Sequence, residues 1–226
     1  MNYTKFVREY CKNNSSTFFD VSKLKDTEFA EVPYKTLLKI LNRLEEEGLL
    51  STISKGVYFI GEKPVGEELI FDEYVDNEKG MFVGYQLFND VGISDYVDCK
   101  IEIYTNNIKA EQKSVGRYLL KRVDLEFDDD IVDLVALLEI IGVGYSMKGC
   151  DFMAYKKTVD MLLKSYSDSG FEKIIKAIRY KYSTIKQLSE LLEANSIDNN
   201  CLDIFESTYK NLSLIHISEP TRHAQI

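Results

Sequence analysis

The sequence predicts a mostly helical α+β chain, with a small N-terminal domain, a mixed α/β middle and a helical C-terminal segment. Three observations lead there. Apolar residues recur at helical spacing up to Gly48, two short β-prone runs around a glycine turn follow at once, and helical spacing returns from Tyr155 onward.

Tyr3, Phe6, Val7 and Tyr10 stand at i, i+3, i+4 and i+7, an amphipathic helix closed by the turn cluster Asn13-Asn14-Ser15-Ser16. Thr17-Phe18-Phe19 reads as an apolar link. Asp20 is placed to cap a brief second helix through Val21 and Leu24, because its carboxylate can accept from the unpaired N–H groups of a first turn. Pro33 then opens a third helix whose core stripe is Leu37, Ile40, Leu41 and Leu44, with Gly48 where a helix C-cap belongs. Leu49 to Ile53 and Val57 to Ile60 flank Ser54-Lys55-Gly56, and glycine permits the positive φ of a tight hairpin. Three helices followed by a hairpin is the order of a winged helix-turn-helix. In that fold the third helix reads the major groove and the hairpin is the wing.

The outer side of the third helix offers Tyr34, Lys35, Thr36, Lys39, Asn42 and Arg43, and Lys55 tips the hairpin. Lysine and arginine neutralise phosphates or bond guanine edges, and asparagine can bond adenine bidentately. These seven residues are the candidate DNA contacts; the competing reading is a plain solvated helix face. Glu45-Glu46-Glu47 would repel phosphate and is expected to point away from DNA, into solvent or toward the second domain.

Overall charge gives no simple support for nucleic acid. The formal net charge is −9. Residues 1–60 hold nine Lys/Arg against eight Asp/Glu, residues 61–150 nine against nineteen, and the remainder ten of each. Any DNA contact must therefore come from a local basic face rather than a basic domain. No apolar run approaches the roughly 18–20 residues of a membrane span, and no apolar stretch of signal-peptide type follows Met1, so a soluble cytoplasmic protein is expected. Cys11, Cys99, Cys150 and Cys201 are too dispersed for a metal knuckle or redox pair.

The stretch Arg43-Leu44-Glu45-Glu46-Glu47-Gly48-Leu49-Leu50-Ser51-Thr52-Ile53-Ser54-Lys55-Gly56-Val57-Tyr58-Phe59 resembles the end of the winged-helix domain in AbiEi-like antitoxins, nearest to a branch of uncharacterised relatives. Lys55 stands where that family often has Arg, which keeps the charge and loses the guanidinium fork. The resemblance extends to about residue 145. It implies a bacterial repressor that binds inverted repeats in its own promoter, with a homodimer on DNA. It also implies the antitoxin of a type IV toxin–antitoxin (abortive-infection) system, countering a nucleotidyltransferase toxin without a stable complex.

Residues 61–66 read as a linker, and 67–75 as a helix. Gly80 to Ile93 reads as a turn and helix, and Ile101 to Tyr104 and Tyr118 to Val123 as strands. Asp128-Asp129-Asp130 precede a helix apolar almost all round, Ile131 to Ile141, where carboxylates suit a helix N-terminus without a cation. Glu102 is followed by Ile103-Tyr104, so the Glu-x-Lys of a metal nuclease is missing, and no phosphate-binding G-x-x-x-x-G-K-[ST] loop is present. Three amphipathic helices follow, on Tyr155/Val159/Leu162, Phe171/Ile174/Ile178 and Ile185/Leu188/Leu192. Their cations, Arg179 and Lys181 included, read as solvated faces, with a second nucleic-acid surface as the alternative.

Residues 212–226 resemble the translation of a sequencing-library adapter and are expected to be a non-native tail. Both histidines, His216 and His223, fall there, so His-dependent catalysis and His-ligated zinc are not expected. The expected layout is 1–60 winged helix, 61–66 linker, 67–148 mixed α/β domain, 149–211 helical segment and 212–226 tail. No catalytic residue, metal or cofactor is expected. Two further readings stay open: a regulator without a toxin, whose second domain senses a ligand or dimerises, and a protein-interaction module.

Overall fold

The computed structural model describes residues 2–61 and 68–217, with side chains through Tyr209 apart from Glu68. From residue 62 the expected linker lies outside the described residues, as do residues 218–226 of the expected tail. Among the described residues helix far exceeds strand, which makes this the mostly helical α+β protein its sequence predicts. It divides into two compact units, Met1–Phe82 with Cys99–Arg122 and Val83–Asp98 with Val123–Ile226. The segmentation at 60/61 and 148/149 read along the sequence runs differently from these units.

In the first unit, α1 (Tyr3–Asn13) is capped by Asn2, whose side-chain oxygen accepts from the Lys5 amide at 3.1 Å, and it buries Val7 and Cys11. Residues 17–19, read as a link, run into a strand, β1 (Phe18–Asp20), which pairs antiparallel with β3. Three residues are too few to show a period, so only the pairing makes the strand visible. Asp20 caps α2 (Val21–Leu24) by accepting from the Ser22 amide at 2.9 Å. α3 (Tyr34–Glu46) starts after Pro33 and buries Leu37, Ile40, Leu41 and Leu44, as the spacing predicts. It ends where Gly48 takes φ 74° and the Leu49 amide donates back to the Leu44 carbonyl, a Schellman-type stop. β2 (Leu50–Ser54) and β3 (Val57–Ile60) form the hairpin, turned at Gly56 with φ 75°. The sheet order is β1-β3-β2, with a register shift between Thr52 and Ser54.

A second sheet belongs to the same unit apart from Val83 at the end of one strand. After α4 (Glu68–Tyr74) come β4 (Gly80–Val83), β5 (Ile101–Thr105), β6 (Gln112–Val115) and β7 (Tyr118–Arg122), in the order β4-β5-β7-β6. β5 and β7 are parallel with Ile101 opposite Tyr118, and β6 and β7 form an antiparallel hairpin. Residues 80–83 read as a turn but form a strand. A Cβ on Gly80 would lie 2.2 Å from the Tyr104 carbonyl oxygen and 2.5 Å from that of Tyr74, so the strand's close approach requires glycine.

Two apolar clusters fill this unit. One joins Val7, Phe19, Phe29, Leu37, Leu41, Leu44 and Tyr58 under the helices. The other joins Val57 with Tyr74, Ile101, Ile103, Val115 and Leu120, and Phe18 and Ile53 pack against it. All four residues of β3 are buried in consequence, whereas a strand with one solvated face would alternate.

The second unit is built around α6 (Asp129–Val143), which buries Ile131, Ile140, Ile141 and all five residues from Leu134 to Leu138. Asp128 caps it by accepting from the Ile131 amide at 2.9 Å, with Asp129 and Asp130 in the first turn. α7 (Phe152–Leu162), α8 (Asp168–Ala177) and α9 (Tyr182–Ala194) pack on α6, α10 (Cys201–Ile217) packs on α8 and α9, and α5 (Tyr85–Asp90) belongs to the same unit. The last helix is additional to the three that the spacing after Tyr155 predicts. The Asp168 carboxylate joins the starts of α8 and α10, accepting from the Tyr166 hydroxyl and from both the amide and side chain of Asn200. All four cysteines are free, and burial pushes the Cys11 thiol up to about 11, which leaves it unreactive.

Candidate nucleic-acid interface

At about 100° per residue, α3 separates into three faces. Leu37, Ile40, Leu41 and Leu44 face the core. Lys35, Lys39 and Arg43 form an exposed row on the opposite side, while Tyr34, Leu38 and Asn42 form a row between the two. Thr36 is half-buried at the far edge of the outward row. Among the described residues, Lys35, Lys39, Arg43 and Lys55 form no ion pair, unlike Lys23, Lys109 and Lys113 of the same unit. Their charges are therefore available to an external anion.

The intermediate row looks into a groove of about 650 Å³. Tyr34, Leu38 and Asn42 form one wall, Thr52, Ser54, Lys55, Gly56 and Tyr58 of the hairpin another, and the start of α2 closes one end. The seven sequence-predicted residues thus fall into two sets: Tyr34, Asn42 and Lys55 line the groove, while Lys35, Lys39, Arg43 and Thr36 do not.

Ala110 and Lys113, from the second sheet, also line this groove, and no local signal in the sequence marks them. Lys113 is held by an ion pair with Asp20 at 2.5 Å, and Lys109 pairs with Asp26 at the same distance. Burial by itself pushes the Asp20 carboxyl up. The hydrogen bonds from Lys113 and Ser22, with the Lys113 charge, outweigh it and hold the group below its usual value. Two aspartates beside the groove are in this way neutralised by lysines more than eighty positions away.

The acidic run at the end of α3 has a more specific arrangement than its sequence suggests. Glu45 accepts from the Thr52 amide at 3.3 Å, tying helix to hairpin. Glu47 accepts from Arg8 of α1 at 2.8 Å. Glu46 is exposed and, by its helical phase, shares the outward face with Lys39 and Arg43.

No protein-family model matches the chain, and no curated protein does. Among solved structures it is similar to the RV2827C protein from Mycobacterium tuberculosis, at 14% identity and a TM-score of 0.40, over 100% of this chain and 83% of that one. A likeness at that level carries no argument about function.

Chemically, the arrangement presents three unpaired cations along two turns of one helix and a fourth at a hairpin tip. Such a surface can neutralise phosphates and leave Asn42 to bond base edges. Among the described residues, no group of three or more His, Cys, Asp or Glu side chains could hold a metal ion, and no helix is long and apolar enough to cross a membrane.

Proposed function

We propose that residues 1–60 are a winged helix-turn-helix that binds duplex DNA. In this reading α3 enters the major groove and the β2–β3 turn contacts the backbone. The protein is then a non-enzymatic, cytoplasmic repressor and, from its resemblance to the AbiEi family, an antitoxin acting against a nucleotidyltransferase toxin encoded beside it. The observation that carries the DNA reading is the row Lys35, Lys39 and Arg43, exposed and without an ion pair among the described residues. The order helix–strand–helix–helix–strand–strand in residues 3–60 supports it.

The test is binding to the chain's own upstream DNA at several salt concentrations. The parent protein should bind tightly at low salt and lose affinity steeply as salt rises. Lys39→Ala/Arg43→Ala should remove about two phosphate contacts, flattening the log–log salt slope by about 2. Glu46→Gln should do the reverse and tighten binding about two- to fivefold at low salt, because it removes a negative charge from the inserted face. Absence of binding at low salt would overturn the repressor reading. The antitoxin role is tested separately, by whether co-expression relieves the growth arrest caused by the neighbouring nucleotidyltransferase.

A further inference from the structure

The second unit carries a cleft of about 580 Å³ between residues 179–182, where α8 gives way to α9, and the half-buried Phe205 and Tyr209 of α10. It is lined by Arg179, Tyr180, Lys181, Tyr182, Phe205 and Tyr209, two cations and four aromatic rings without a carboxylate. That lining is unusual in a chain of net charge −9. Three of the rings adjoin one another: Phe205 lies 5.9 Å from Tyr182 and 4.4 Å from Tyr209, centroid to centroid, and the Arg179 guanidinium sits 5.6 Å from the Tyr209 ring. The Tyr180 hydroxyl donates to Glu139 at 3.1 Å, which ties that side of the cleft to α6. Tyr182 is 52% exposed, so its ring face is open to a ligand.

We infer that this cleft binds a nucleotide, with the base stacked on the Tyr182 face and the phosphate held by Arg179 and Lys181. Neither cation forms an ion pair among the described residues, so both can receive an anion. A simple anion would use the cations and ignore the rings, and an apolar ligand would do the opposite. A nucleotide uses both, since every base has a π face and every phosphate a charge. The volume lies within the range of about 300–1,000 Å³ common for small-molecule sites. A free nucleotide and a nucleotide within a single strand share this chemistry, and the experiment separates them.

Calorimetric titrations with ATP and with a short single-stranded oligothymidylate would use the full chain carrying Lys39→Ala/Arg43→Ala, so that the α3 face does not contribute. The expected result is binding of at least one probe, weakened about tenfold or more by Tyr182→Ala and largely kept by Tyr182→Phe. Arg179→Ala should weaken binding and flatten its salt dependence. Circular dichroism of each variant checks that the fold is retained. ATP binding alone identifies a free-nucleotide site, and oligonucleotide binding identifies a single-strand site. If neither probe binds at millimolar concentration, or if Tyr182→Ala and Arg179→Ala both leave binding unchanged, the inference is overturned.

Discussion

The Tyr74 hydroxyl is buried in the first unit without a hydrogen-bond partner among the described residues. Burial is the main reason its phenol is pushed well above the ordinary value, and the charges of Asp20 and Glu73 add to the shift. Lys23 stands over the ring at 5.4 Å, so the aromatic face is used while the hydroxyl is not. An orphaned buried hydroxyl costs about 1–3 kcal/mol of desolvation, whereas the ring supplies the packing. Tyr74→Phe is therefore expected to stabilise the protein by about 1 kcal/mol, raising Tm by about 2–4 °C in calorimetry. A lower Tm would mean that the hydroxyl has a partner, such as water. The same logic separates Glu46 from its neighbours: Glu45 and Glu47 each have a bond to lose, and Glu46 is free to be exchanged.

Between elements, the decisive contact is the ion pair of Asp20, at the end of β1, with Lys113 of β6. Their side chains are only 4% and 15% exposed, so each partner depends on the other for compensation. Lys113→Ala should cost about 3–5 kcal/mol, because it strands a buried carboxylate. Asp20→Asn in the same chain should recover part of that loss. The pH dependence follows from the direction of the shift. The folded-state carboxyl lies below its unfolded value, so the stabilisation is complete above the unfolded value and disappears as pH falls through the folded one, below about pH 4. In Lys113→Ala burial is opposed only by the Ser22 bonds, so protonation relieves the stranded carboxylate and the gap between variant and parent should narrow as pH falls through that range. Denaturant midpoints measured across pH for both proteins test this; parallel curves would refute it.

At the scale of the whole molecule, the N-terminal helices and hairpin share one compact unit with the second sheet. Residues 1–61 expressed alone would expose Val57 and Phe18 and leave Asp20 without Lys113. That fragment should give broad amide resonances and a non-cooperative melt; a cooperative transition would show that the second sheet is dispensable. The sequence alone determined the elements with a long internal period. The stripes of α1, α3 and α7–α9, the caps Asp20 and Asp128 and the stop at Gly48 are all readable because each depends on neighbours within a few positions. It also determined which face of α3 is cationic, because helical phase alone sorts Lys35, Lys39 and Arg43 from Leu37, Leu41 and Leu44. Tertiary structure decided the rest. β1, β4 and β6 are three or four residues long, below the length at which alternation can be recognised, and exist only through their partners. Lys113 beside the groove, and Tyr182 beside Phe205, are brought together by packing between elements separated along the chain, and no local spacing encodes a contact of that range.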